Sequence, residues 1–355
     1  MADSTIKRWP NGRFLSEDKP WIWNYELGVL LQGMNAAWYR TADGAYYTYI
    51  KESVDPFIQP DGSISTYKPE NHTLDDLALG RELLLLYGVT QDAKYYKAAT
   101  QLRQELISHP RTADGGFWHK QRYPQQMWLD GLYMAEPFYA QYAATFNQPQ
   151  DFEDITKQFV LMEQHSRDPK TGLLFHGWDA TKQQVWANRT TGISPTFWAR
   201  GMGWYMMALV DTLPYYSKND PGRAELLGIL QRLAAAVTKY QDKDSGLWYQ
   251  VVDKGSLPDN WHETSSSCMY TYMLSRGMER GYLNKRYAKV SKKGYSGILT
   301  KLSRDSDGFA HIADICEGTN VGDLAFYLAR PRSTDDFHGL GAFLIMNEQL
   351  RKKGV

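Results

Sequence analysis

The chemistry-bearing feature of this chain is a set of carboxylates placed among aromatic residues. Asp130 lies in QQMWLDGLYM, where Trp128, Leu129, Leu132 and Met134 surround a single acid. Burial disfavours an ionised carboxyl, so the pKa of Asp130 is expected to rise towards that of a useful proton donor. The alternative is an aspartate capping a helix beside Gly131. Asp75 and Asp76, in NHTLDDLALG, open another apolar stretch, where one can cap a helix and the other face a cavity. A third cluster, SPTFWARGMGWYMMAL, sets Trp198, Arg200 and Trp204 at or just before a helix start. The planar fork of arginine matches a carboxylate and would suit a uronic acid, unless Arg200 pairs with a buried acid of the protein itself. His119, Lys120 and His176 follow glycine turns, so they can face the same opening.

Other chemistries lack their signatures. The chain carries no Walker lysine loop, dinucleotide glycine fingerprint, HExxH, EF-hand loop or GxSxG elbow. Its eight histidines show no tight ligand spacing, so no metal and no other cofactor is expected, and chelators should leave activity unchanged. Forty basic and forty acidic residues cancel, which argues against a nucleic-acid partner. Cys268 and Cys316 are the two cysteines, too few for a disulfide framework and read as buried free thiols. No apolar run approaches the roughly 18 residues a bilayer crossing needs. The start, ADSTIKRWPNG, has no signal-like character and reads as the end of a helix. The 12 Trp and 24 Tyr suit either stacking on sugar rings or the packing of a large helical core.

The elements that must position these residues repeat. TADGGFWHK (112–120), PKTGLLFHGWD (169–179), KDSGLWYQVVD (243–253) and RDSDGFAHIAD (304–314) share one grammar, with QPDGSISTY (59–67) a weaker copy. In each, Asp, Ser or Thr precedes a glycine, and apolar residues follow with polar ones interleaved. The period of roughly 50–60 residues is that of one helical hairpin. Between the turns the apolar spacing is helical, as at Leu74, Leu77, Leu84 and Tyr87. Thr73 and Ser194-Pro195 are expected helix starts, and short strands are possible after the turn glycines. A second echo, TADGAYYTYIKE (41–52) against TQDAKYYKAATQ (90–101), supports repetition. A chain of 355 residues holds about six such units, and six hairpins can close into an all-α (α/α)6 barrel. The expected architecture is that barrel, as a single catalytic domain over 1–355, with the glycine turns at 115, 172 and 246 on one rim.

Several of these blocks together, from WNYELG (23–28) to STDDFHGLGAFLIM (333–346), resemble the unsaturated rhamnogalacturonyl hydrolases, glycoside hydrolase family 105. The most specific are GGFWHKQRYPQQMWLDGLYM, LLFHGWD followed by WAN, SPTFWARGMGWYMMAL, YQDKDSGLWYQVVDKG and DNWHETSSSCMY. The resemblance implies an (α/α)6 barrel, Asp130 as catalytic acid and Asp75 as second acid. It places substrate contacts at Tyr25, His119, Lys120, His176, Trp198, Arg200 and Trp204. The implied substrate is a lyase product whose non-reducing uronic acid carries a C4=C5 double bond, an enol ether that is hydrated and not hydrolysed at C1. Asp130 would donate to C4 and then activate water for C5, while Asp75 positions the groups and keeps Asp130 protonated by repulsion. The expected partner is a small unsaturated uronyl disaccharide, with neither nucleic acid nor membrane, and the chain a monomer or weak homo-oligomer. Such enzymes work in the cytoplasm on imported disaccharide, with export behind a removed leader as the alternative. Competing readings are an unsaturated glucuronyl hydrolase acting on glycosaminoglycan or ulvan fragments, an inverting glycosidase on saturated sugar, and a non-catalytic glycan-binding protein.

Overall fold

A computed structural model describes residues 1–13 and 21–351. Two kinds of turn build its architecture. The first is the echo at 41–43 and 90–92. Thr41 and Thr90 bond back to Ala37 O and Leu86 O, and each hydroxyl also accepts from the N–H two residues on. Ala42 and Gln91 adopt left-handed φ values of 57° and 58°, which ends the helix, and Asp43 and Asp92 then cap the next one. Three residues thus reverse the chain into an antiparallel helix pair.

The helices are α1 (Ala2–Arg8), α2 (Tyr25–Thr41), α3 (Gly44–Val54), α4 (Gly80–Thr90), α5 (Ala93–Ser108), α6 (Leu129–Thr145), α7 (Asp151–Ser166), α8 (Ala199–Thr212), α9 (Pro221–Val237), α10 (Thr264–Glu279), α11 (Ala288–Leu299), α12 (Leu324–Leu328) and α13 (Phe337–Arg351). An inner ring runs α2, α4, α6, α8, α10, α13 and back to α2, each packed on the next. Outside it, α3, α5, α7, α9 and α11 lie against their partners, and α1 meets the start of α13 through Trp9 on Phe337, with ring centroids 5.2 Å apart. The expected (α/α)6 barrel is therefore observed. Burial explains which helix goes where. Every residue of α8 is buried, so it suits only an inner position, whereas α5 buries Ala98, Ala99, Leu102 and Leu106 and exposes Lys97 and Gln104. Among the described residues no helix is long and apolar enough to cross a membrane.

The second kind of turn is the glycine repeat. Gly62, Gly115, Gly172, Gly246 and Gly308 all have positive φ, from 77° to 98°. Each N–H returns to a carbonyl three or four residues back. These turns follow α3, α5, α7, α9 and α11 and lead into α4, α6, α8, α10 and α13, so they gather at the end where the inner helices begin. Short β-pairings link them there: β1 (Gln126–Trp128) pairs antiparallel with β2 (Gly177–Asp179), Thr73 bridges Lys120, and Trp198 bridges Val251.

Two helix starts differ from expectation. The 74–90 stretch is broken: Leu74–Leu77 is a 3-10 turn, α4 begins at Gly80, and the Thr73 hydroxyl caps nothing. The backbone of 73–74 is instead drawn to 119–120, through the Thr73 bridge and Leu74 N–H on His119 O. Ser194 likewise accepts from Gly177 N–H at 3.0 Å, and α8 starts at Ala199 after an extended Trp198.

The turn glycines yield a graded prediction. At Gly308 a Cβ would meet nothing within 4 Å, while at Gly246 it would lie 2.6 Å from Lys293 O. Gly308→Ala should cost only the left-handed backbone penalty, about 1–2 kcal/mol, and Gly246→Ala distinctly more. Denaturant unfolding of the two variants measures this, and equal losses would contradict the turn geometry.

Candidate active site

Pairing of β1 with β2 sets Trp128 opposite Gly177. His176, just before β2, therefore meets the first turn of α6, where Leu129 N–H donates to His176 O at 3.0 Å. His176 Nε2 lies 2.7 Å from Asp130 Oδ2, and its Nδ1 lies 2.7 Å from the Tyr327 hydroxyl. An ionised Asp130 only accepts, so Nε2 carries the hydrogen directed at it, and in the neutral imidazole Nδ1 then accepts from the Tyr327 hydroxyl, whose oxygen also accepts from Gly322 N–H. Burial pushes the Asp130 pKa up, but His176, His119 and Arg200 push it down and prevail, so it falls below the ordinary carboxylate value. This corrects the expectation of a raised pKa: the apolar neighbours in sequence are present, but the deciding partner comes from 46 residues away.

Asp75 sits in the 3-10 turn that faces the loop after Gly115. Lys120 Nζ donates to Asp75 Oδ2, and His119 Nε2 stands 3.5 Å from Oδ1. His119 stacks on Trp128 at 4.3 Å, and burial lowers its pKa to about 4, so it is uncharged at neutral pH. Both Asp75 and Asp130 act on its charge. Lys120 pairs with Asp75, and the net shift of Asp130 is downward, opposite to what repulsion by Asp75 was expected to give. Asp76 was expected to cap or to face a cavity; it caps nothing. Burial, then Asp75, then Glu105 push its pKa up to about 8, which keeps it protonated at neutral pH. A cavity of about 700 Å³ opens over Asp75, Asp76 and Lys120, with Trp23, Tyr25 and Arg122 among its walls.

Arg200 is 1% exposed. Its two terminal nitrogens donate to Cys316 O and Glu317 O, its guanidinium lies 4.9 Å from the centre of the Trp198 ring, and its Nε has no partner. It makes no ion pair among the described residues: carbonyl dipoles and an aromatic face meet it directly, and Glu263 and Asp336 act on its charge from beyond ion-pair distance, which suits a site for an anion. Trp198 is held by its indole N–H on Gln250 Oε1 at 3.1 Å. Tyr25 opens α2 and places its hydroxyl 2.7 Å from His338 Nε2, while His338 Nδ1 pairs with Asp336. Burial opposes ionisation of Asp336, but His338 and Arg200 bring its pKa down to about 2. Trp204 lies one turn deeper on α8, 1% exposed and stacked on Tyr133 at 4.9 Å.

The rim thus gathers Tyr25, Asp75, His119, Lys120, Asp130, His176, Trp198 and Arg200, with Trp204 beneath. Sequence reasoning missed Tyr327, His338 and Asp336. For the last two the D-x-H spacing in STDDFHGLG was an available signal; Tyr327 offered none.

A family model described as Glycosyl Hydrolase Family 88 matches residues 1–352. A structure from C. acetobutylicum described as a glycoside hydrolase from family 105 is 38% identical with a TM-score of 0.94, over 99% of this chain and 98% of that one. The unsaturated rhamnogalacturonyl hydrolase YesR of Bacillus subtilis is 28% identical over 84% of this chain and 80% of its own length. An unsaturated 3S-rhamnoglycuronyl hydrolase of Formosa agariphila is 25% identical over 63% of this chain and 57% of its own.

Removing His176 should reverse the behaviour of Asp130. In the wild type a depressed pKa contributes stability above the unfolded value of about 3.9, lost as pH falls through the folded value. In His176→Ala burial dominates, the pKa should rise above about 3.9, and the same carboxyl should favour folding as pH falls. Carbon-13 NMR titration of labelled aspartate measures this, and an unchanged low pKa would show that His176 does not set it.

Proposed function

The chain belongs to glycosyl hydrolase family 88, and from that premise we propose that it removes a 4,5-unsaturated galacturonyl residue from the non-reducing end of rhamnogalacturonan-lyase products. The carrying observation is the pairing of one buried acid, Asp130 on His176, with one buried cation, Arg200, that has no carboxylate partner. The likeness to YesR supports the rhamnogalacturonyl substrate, and that to the Formosa protein supports a second reading in which a rhamnoglycuronyl fragment is the substrate.

The chemistry follows from the groups present. The substrate's carboxylate is drawn to Arg200, and its negative charge beside Asp130 raises that pKa towards protonation. Asp130 delivers its proton to C4, and the C4=C5 electron pair forms the new C–H bond, leaving an oxocarbenium ion at C5. Water attacks C5 and returns a proton to the Asp130 carboxylate. The hemiketal opens at the C5–O5 bond, and the hemiacetal left at C1 expels the second sugar as an alcohol. His176 orients Asp130 and buffers its charge, while Asp75 and Lys120 hold the adjoining wall. Two buried free thiols, Cys268 and Cys316, suit a reducing compartment, and the reading places the reaction in the cytoplasm on imported disaccharide.

The test is a panel of lyase-generated disaccharides, followed by loss of the double bond's ultraviolet absorbance. Turnover should be fastest with the rhamnose-linked galacturonyl substrate; preference for a glucuronyl substrate would favour the second reading. Asp130→Asn should lower kcat by roughly 10²–10⁴-fold. Activity kept in Asp130→Asn but lost in Asp76→Asn would move the proton donor to Asp76.

Arg200 supplies a second prediction. Arg200→Ala should cost kcat/KM about 2 kcal/mol, the scale of a broken charge-assisted contact, with folding checked by circular dichroism. Kinetics near wild type in a folded variant would remove Arg200 from substrate binding.

A further inference from the structure

Behind the wall that carries Asp75, three side chains converge that the mechanism does not use. Glu105 and His109 lie one turn apart at the end of α5, and His72 follows the 3-10 turn Pro69–Asn71 with a left-handed φ of 36°. One donor atom of each lies within 4.8 Å of the other two. His72 Nδ1, Glu105 Oε1 and His109 Nδ1 are all buried and have no hydrogen-bond partner. Spacing between histidines in the sequence does not reveal this cluster, which rests on a Glu-x-x-x-His step at the end of α5.

We propose that His72, Glu105 and His109 form a binding site for a divalent first-row metal ion, with Zn2+ as its occupant. The remaining atoms of the cluster are already committed in the way metal ligands require. His109 Nε2 lies 2.7 Å from Trp118 O; a carbonyl only accepts, so Nε2 carries the hydrogen and the Nδ1 lone pair faces Glu105. Glu105 Oε2 accepts from the Tyr67 hydroxyl, leaving Oε1 available. His109 Nδ1 and Glu105 Oε1 stand 3.4 Å apart. Two ligands of a tetrahedral zinc, each at about 2.0–2.1 Å, are about 3.3 Å apart. An added proton on His109 Nδ1 would satisfy that pair but leave the buried His72 Nδ1 without a partner; a cation coordinated by all three satisfies each of them. Two histidines and a glutamate are an established zinc set, with water completing the tetrahedron.

The site would brace catalysis from outside the reacting centre. His72 O accepts from Gln121 N–H, and Thr73 bridges Lys120. His109 holds the carbonyl of Trp118, next to His119. A bound ion would tie the segments presenting Asp75, His119 and Lys120 to the end of α5.

The test uses the full chain stripped with a chelator and dialysed, then titrated with ZnCl2 by calorimetry and with Co2+ by visible absorption. One equivalent of Zn2+ should bind and raise Tm, and Co2+ should show the ligand-field bands of a tetrahedral site. His72→Asn keeps a residue tolerant of left-handed φ, and it and His109→Ala should each weaken Zn2+ binding by at least the roughly 10–100-fold that losing an outer-shell partner costs. If His109→Ala does not fold, His72→Asn decides alone. Absence of saturable binding, or binding unchanged in the variants, would overturn the proposal.

Discussion

A carboxylate buried at the start of an inner helix stays ionised only if a donor reaches it, and the 2.7 Å contact between His176 and Asp130 meets that demand. Much of the rim serves it. The β1–β2 pairing brings His176 to α6, and Tyr327 turns the imidazole hydrogen towards Asp130 from the opposite side. Tyr327 is itself tied in, since Gln250 donates to its carbonyl while accepting from the Trp198 indole. Glu263 accepts from Cys316 N–H, and Cys316 O accepts from Arg200. Acid and cation therefore share one hydrogen-bonded frame drawn from the loops of several hairpins.

Such a frame needs a rigid support, because a buried guanidinium without a carboxylate gives up several kcal/mol of hydration. The inner ring supplies it. Helices as completely buried as α8 cannot rotate or slide without breaking their packing, so the loops that end on them are held in register. The glycine turns gather the candidate-site side chains at one end, while the packed ring keeps buried polar contacts of its own, such as Arg81 with Asp211 and Gln32 with Glu82.

The barrel was legible in the sequence because its signals are local. A glycine at positive φ and a threonine-x-aspartate reversal each act within a few residues, so their recurrence shows in the chain itself. Asp130 and Arg200 stood out for a similar reason, as lone charged residues in apolar stretches. Partnership was not legible. The pKa of Asp130 depends on His176, and the break at Leu74–Leu77 depends on the backbone contacts to 119–120. Tyr327 sits in a helix of only five residues with no composition to mark it. Asp76 looked like a cap because its burial is imposed by neighbouring loops, and His72 reaches α5 only through the fold.

The central claim is that Asp130 protonates C4 of an unsaturated ring and that water does not attack C1. Proton NMR of the reaction in heavy water tests it directly. The account predicts that the C4 alkene signal disappears at the rate of sugar release and that a single deuterium is delivered to one face of C4. Release of the second sugar while the uronic acid retains its C4 alkene hydrogen would mean ordinary hydrolysis at C1 and would contradict it.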